Sequence, residues 1–167
     1  AYNHFHSWPP RIQWLLLSCC FSLVLVTARV IYTGQPMFLF LVWNLFLGAL
    51  PFIISSVMVK QVDYIENNKK FALLFTCWLL FLPNAFYIIT DLFHLKQRAP
   101  IPLWFDLALI FSFAWNGLLL GALSLRQMEK IVLAKWPLCS PLLFLVPVSG
   151  LCGLGVYIGR YLRYNTW

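Results

Sequence analysis

Long apolar stretches alternate with short polar ones along the whole chain. Crossing a hydrocarbon layer of about 30 Å takes roughly 20 apolar residues in a helix. Five stretches qualify: Ile12 to Tyr32, Pro36 to Val59, Phe71 to Thr90, Pro102 to Leu125, and Leu138 to Leu162. Backbone groups in lipid must be satisfied internally, so each stretch is predicted as a helix. The period-two alternation of a membrane β-barrel is missing. Thr33-Gly34-Gln35-Pro36 reads as a tight turn, with Pro36 at a favoured helix start. The other connections are Lys60–Lys70, Lys96–Pro102 and Gln127–Pro137, the last a candidate interfacial amphipathic segment. Short connections set consecutive helices side by side and antiparallel. The prediction is an all-α, polytopic transmembrane helix bundle of about five spans, one domain over residues 1–167.

Composition strengthens this picture. Of the 167 residues, 62% are hydrophobic and only 10% charged, whereas a soluble domain has about 45–50% and 25%. There is too little charge to cover a water-facing surface, which excludes soluble nucleotide-binding folds and secreted disulfide scaffolds. The five cysteines, Cys19, Cys20, Cys77, Cys139 and Cys152, are odd in number, contain no CxxC pair and read as small apolar packing residues. The first apolar run lacks a small-residue cleavage site and is predicted to be a retained span.

The net charge of +7 would suggest nucleic acid in a soluble chain. Here the basic residues fall at helix ends and in loops, where they set orientation and meet anionic lipid, so no nucleic-acid partner is expected. One side collects Arg11, Lys60, Lys69, Lys70, Arg126, Lys130 and Lys135; the other collects Arg29, Lys96, Arg98, Arg160 and Arg163. That excess predicts a cytoplasmic N-terminus.

Polar residues are expensive in lipid and therefore informative. Asp91 and His94 form a D-x-x-H at the outer end of the third span, on one helical face. Asp106 lies in the first turn of the fourth span, at the favourable end of the helix dipole. Arg29, Arg160 and Arg163 end their helices on the same surface. These six can converge as a salt-bridge network, an anionic-headgroup site read by guanidinium forks, or an acid–base site. Asp91, His94 and Asp106 are candidate metal ligands, although D-x-x-H alone is a weak signal and no metal is predicted. His4 and His6 read as tail. Asn44, Asn84 and Asn116 lie deeper, at similar depth on three helices, and are expected to act as interhelical glue or as the polar floor of an outward cavity. Pro51 and Pro83 are expected to kink their helices. Gly150, Gly153, Gly155 and Gly159 predict a packing face on the last helix, with Gly155 and Gly159 in a GxxxG.

The second and fourth spans share a pattern: WNLFLGAL from Trp43 resembles WNGLLLGAL from Trp115 with one inserted residue. Convergent composition and a parallel internal repeat both account for it. Four blocks are similar, taken together, to a family of small bacterial polytopic membrane proteins classed only as a domain of unknown function. They are WNLFLGALP at 43–51, FLPNAFYIITDLFHL at 81–95, GLLLGALSL at 117–125 and GVYIGRYLRYNTW at 155–167. The resemblance implies a multi-pass plasma-membrane protein and no particular activity. It also implies further hydrophobic sequence after Trp167, so the chain is expected to be truncated at its C-terminus.

Three functional classes fit. The first is a non-catalytic accessory or assembly subunit of a larger membrane complex, with other membrane subunits and the lipid bilayer as partners. The second is a membrane-embedded enzyme or anion-binding protein using the Asp/His/Arg cluster. The third is a small transporter. The first is preferred, because no Ser-His-Asp order, HExxH or phosphate loop is present. No cofactor is specified; the 18% aromatic content reads mostly as interface anchors and packing, and His94 alone is near a depth suited to pigment ligation, so pigment or quinone neighbours are unsupported.

Overall fold

A computed structural model describes residues 9–97 and 100–161, with side chains from Ile12 onward. Among the described residues six α-helices follow one another: α1 (Pro9–Thr33), α2 (Leu39–Lys60), a short α3 (Asp63–Glu66), α4 (Asn68–Tyr87), α5 (Leu103–Lys135) and α6 (Pro141–Tyr161). A 3-10 segment, Ile88–His94, continues α4. Five of these stretches are long and apolar enough to cross a membrane, the 3-10 segment counting with α4. The all-α, five-span bundle predicted from the apolar runs is present.

Local chemistry explains most boundaries. Gly34 has φ +67° and donates its N–H to the Val30 carbonyl at 2.7 Å. This left-handed cap ends α1 at a position where any Cβ would be strained. The Asn67 side chain accepts from the Lys69 and Lys70 amides at 3.0 and 3.3 Å and so starts α4. Lys135 donates to the Ile65 carbonyl at 2.6 Å and ties α3 to the end of α5.

One expectation is corrected. Gln127–Pro137 is not a separate interfacial segment, because α5 runs without a break to Lys135. No proline interrupts this stretch before Pro137, and Gln127, Met128, Ile131 and Val132 bury one helical face. At about 1.5 Å per residue, the 33 residues of α5 outreach the bilayer core. The third span is likewise longer than predicted and changes winding at Ile88. Pro51, Pro83 and Pro147 all lie inside helices.

The central element is α5, which packs against α1, α2, α4 and α6. One apolar core surrounds Phe38, Leu41, Ile88, Leu109 and Phe113; a second surrounds Met58, Trp78, Leu82, Met128 and Phe144. Small residues allow the closest approach. Built Cβ atoms on Gly48 and Gly121 lie 3.2 and 3.0 Å from Ala85 atoms, so α2 and α5 both close on that alanine of α4. These are the matched glycines of the WN…GAL pattern, whereas its matched asparagines have unrelated partners. Beside the second core, Ser55 donates to Gln127 at 2.6 Å, and the Trp78 indole donates to Ser124 at 2.8 Å. Ser55 and Ser124 lie 3.1 Å apart. This buried network joins α2, α4 and α5, and satisfied polar groups of this kind hold membrane helices in register.

Candidate functional site

The ends of α1, the 3-10 segment and α6 and the starts of α2 and α5 lie on one surface. The charged residues expected to converge there separate into two groups.

The first group is an ion pair. Arg29 Nε donates to Asp106 Oδ1 at 2.7 Å, and Nη2 lies 3.4 Å from Oδ2. Both side chains are buried, at 3% and 1% exposure. The guanidinium carbon lies 5.5 Å from the centre of the Phe38 ring, and Nη1 is buried with no hydrogen-bond partner. A 250 Å³ hollow bounded by Tyr32, Ile101 and Phe105 adjoins the arginine. This pair locks α1 to the first turn of α5, which fits the salt-bridge reading.

The second group sits between α2 and the 3-10 segment. Three residues complete a turn of 3-10 helix, so side chains at i and i+3 eclipse. Asp91 and His94 are therefore stacked, with His94 Nδ1 3.9 Å from Asp91 Oδ1. Asp91 is buried at 1% exposure, while the His94 side chain is half-exposed at 46%. Asn44 of α2 donates its Nδ2 to Asp91 Oδ2 at 2.8 Å. The His94 ring packs 5.4 Å from the Phe40 ring. Together with Trp43, Leu47, Asn84 and Tyr87, these residues line an open cavity of about 370 Å³.

Arg160 of α6 stands near this group. Its guanidinium lies over Phe93 at 5.2 Å. Arg163 and Arg98, expected on the same surface, lie outside the described residues, as do His4 and His6. The expected metal set does not assemble: Asp106 is held by Arg29, and no group of three potential ligands occurs among the described residues. The three asparagines also separate. Asn44 and Asn84 share the cavity, but Asn84 donates to the Phe81 carbonyl of its own helix at 3.1 Å. Asn116 instead holds α1, donating to the Ser22 hydroxyl at 2.9 Å and to the Ser18 carbonyl at 3.1 Å.

The glycines of α6 divide similarly. Gly155 closes on the Pro83 ring, 2.7 Å from its built Cβ, and Gly159 is buried. Built Cβ atoms on Gly150 and Gly153 have nothing within 4 Å among the described residues. Sequence reasoning missed the aromatic wall of Phe40, Trp43 and Tyr87, and the Ser55–Ser124–Gln127 network. Polar residues at matched depth on two apolar spans were a usable signal for the network. No signal placed the aromatic residues.

Residues 43–167 match a family described as protein of unknown function DUF1361. The chain belongs to the DUF1361 family. The match spans both halves of the cavity, from Trp43 and Asn44 through Asp91 and His94, and in this DUF1361 chain only Phe40 of the lining residues precedes it. No curated protein and no solved structure matches the chain. The resemblance of the four sequence blocks to a domain-of-unknown-function family is therefore correct, and this DUF1361 member is an integral membrane protein by its five apolar helices.

Proposed function

We propose that this protein sits in the plasma membrane of a bacterium and binds a small polar group, lipid-borne or free, in the cavity between α2 and the 3-10 segment. The observation that carries the reading is Asp91, a buried carboxylate at the edge of a 370 Å³ cavity, steadied by Asn44 from another helix. A carboxylate inside a membrane-spanning segment is costly to keep. A purely structural role is already filled in this chain by the Arg29–Asp106 pair. Native mass spectrometry of the protein, gently extracted from its own membrane, tests this. The wild type is expected to retain a small ligand that Asp91→Asn and His94→Ala lose, with all three accumulating equally. If the variants fail to accumulate, Asp91 and His94 are packing residues and the reading is wrong.

The excess of basic residues on the Lys135 side supports a cytoplasmic N-terminus. The cavity then opens at the outer surface. A cysteine replacing Gln35 in the α1–α2 turn should react with an impermeant maleimide in intact cells; labelling only after lysis reverses the orientation.

A second reading, an accessory subunit of a larger membrane complex, rests on α6. Val146, Gly150, Gly153 and Tyr157 share an exposed helical face with an open centre, and small residues on such a face admit a neighbouring helix. The same mass spectra decide it. A stoichiometric second protein, lost in Gly153→Leu, supports the subunit role, and a lone chain opposes it.

A further inference from the structure

We infer that the cavity between α2 and the 3-10 segment takes an organic ammonium group, the charged end of an alkylamine carried by a lipid headgroup or by a free solute. The inference rests on the binding role proposed above and narrows it to one chemistry. It starts from the contrast between the two buried carboxylates. Asp106 has its counter-charge within the chain, Arg29 at 2.7 Å. The hydrogen-bond donor to Asp91 is an uncharged amide, Asn44 at 2.8 Å. The imidazole of His94 stands 3.9 Å away and is half-exposed, and the guanidinium of Arg160 is laid over Phe93. A buried charge is stable only when paired. The open side of Asp91 is the cavity.

The walls fit a cation. Phe40, Trp43 and Tyr87 contribute three aromatic rings, and among the described residues no lysine or arginine lines the space. Ring faces attract ammonium groups, best when water is displaced, and aromatic cages are a recurrent solution for choline-like ligands. Asn44 and Asn84 add amide oxygens that accept from N–H or O–H groups. An anion in the same place would stand against the Asp91 carboxylate. The volume of about 370 Å³ accommodates a headgroup of several heavy atoms. Trp43, 54% exposed, lies at its open edge.

The test uses the full chain in phosphatidylglycerol nanodiscs. Binding of ethanolamine and choline is measured by calorimetry, beside 3,3-dimethylbutanol, the uncharged carbon isostere of choline. Retention of phosphatidylethanolamine added to the nanodiscs is read by native mass spectrometry. The ammonium probes should bind at least about 10-fold more tightly than the neutral isostere, and Trp43→Leu should weaken them by roughly 3- to 30-fold. Asp91→Asn should remove the preference for charge. The exposed position of Trp43 keeps the test valid if Asp91→Asn folds poorly. Saturation by free amines identifies a solute ligand, whereas retention of phosphatidylethanolamine alone identifies a headgroup, and both support the ammonium assignment. Equal binding of the neutral isostere overturns it, as does a Trp43→Leu variant of unchanged affinity. Leu47→Trp, which fills the cavity, separates the two levels. A neutral or anionic ligand displaced by Leu47→Trp leaves the binding role standing and sinks only the ammonium. If Leu47→Trp displaces nothing, both fail.

Discussion

Arg29→Leu is expected to destabilise the protein by about 3–5 kcal/mol, the usual cost of leaving one partner of a buried ion pair alone. Asp106 is 1% exposed and its carboxylate is held by the Arg29 guanidinium. Removing the guanidinium strands a carboxylate against apolar neighbours in the first turn of α5. Protonation of Asp106 relieves part of the penalty, and the helix dipole offsets another fraction, about 0.3–1 kcal/mol. The visible result is low accumulation in membranes and a lower midpoint of thermal unfolding in detergent. Asp106→Leu should do comparable damage, because it strands a guanidinium whose Nη1 already has no hydrogen-bond partner among the described residues. The double variant Arg29→Leu/Asp106→Leu should recover most of the loss, since no buried charge remains. A single Arg29→Leu variant as stable as the wild type shows that the pair is hydrated and of little structural weight.

Gly117→Val is the second large effect. A Cβ at position 117 would lie 2.9 Å from the Ala85 carbonyl oxygen and 2.8 Å from Ile88 Cδ1. The methyl end of Ile88 can turn aside, but the carbonyl belongs to α4 and moves only with its helix. Overpacking of this kind costs about 1–3 kcal/mol, with valine above alanine in that range. The displacement also reaches the candidate site, because Ile88 is the first residue of the 3-10 segment that carries Asp91 and His94. Loss of ligand retention should therefore accompany the loss of stability. Gly153→Ala is the control. Nothing lies within 4 Å of its built Cβ, and replacing a mid-helix glycine with alanine gains about 0.5–1 kcal/mol. Thermal unfolding in detergent should move in opposite directions for the two positions. A drop for both ties the effect to glycine content and not to the approach of α4.

These residues show which part of the molecule a sequence reader reaches. Arg29, Asp91, His94, Asp106 and Arg160 were all legible as costly charges near one membrane surface, because apolar run length sets depth. Their pairing was not legible. Depth along a helix says nothing about azimuth, and azimuth decides whether Asp106 meets Arg29 or Asp91. The asparagines make the same point. Asn44, Asn84 and Asn116 are expected from run length at similar depth, yet Asn116 turns to α1 and Asn44 to Asp91. The glycines reverse the lesson. The obvious stripe on α6 is half open, whereas Gly48, Gly117 and Gly121, scattered over two helices, let α2 and α5 close on the backbone and side chains of α4 and the 3-10 segment.

By itself the sequence determined the environment, the number of spans, the helical state of each and the surface where charge collects. Those follow from the cost of unsatisfied backbone and of charge in hydrocarbon, which acts on each segment separately. Only the tertiary structure decided that α5 is central, that one aspartate is neutralised within the chain while the other borders a cavity, and that α4 tightens into a 3-10 turn beneath it. Those depend on which faces meet, and in lipid the apolar surfaces are nearly equivalent. The choice falls to a few small residues that allow close approach and a few polar groups that need partners.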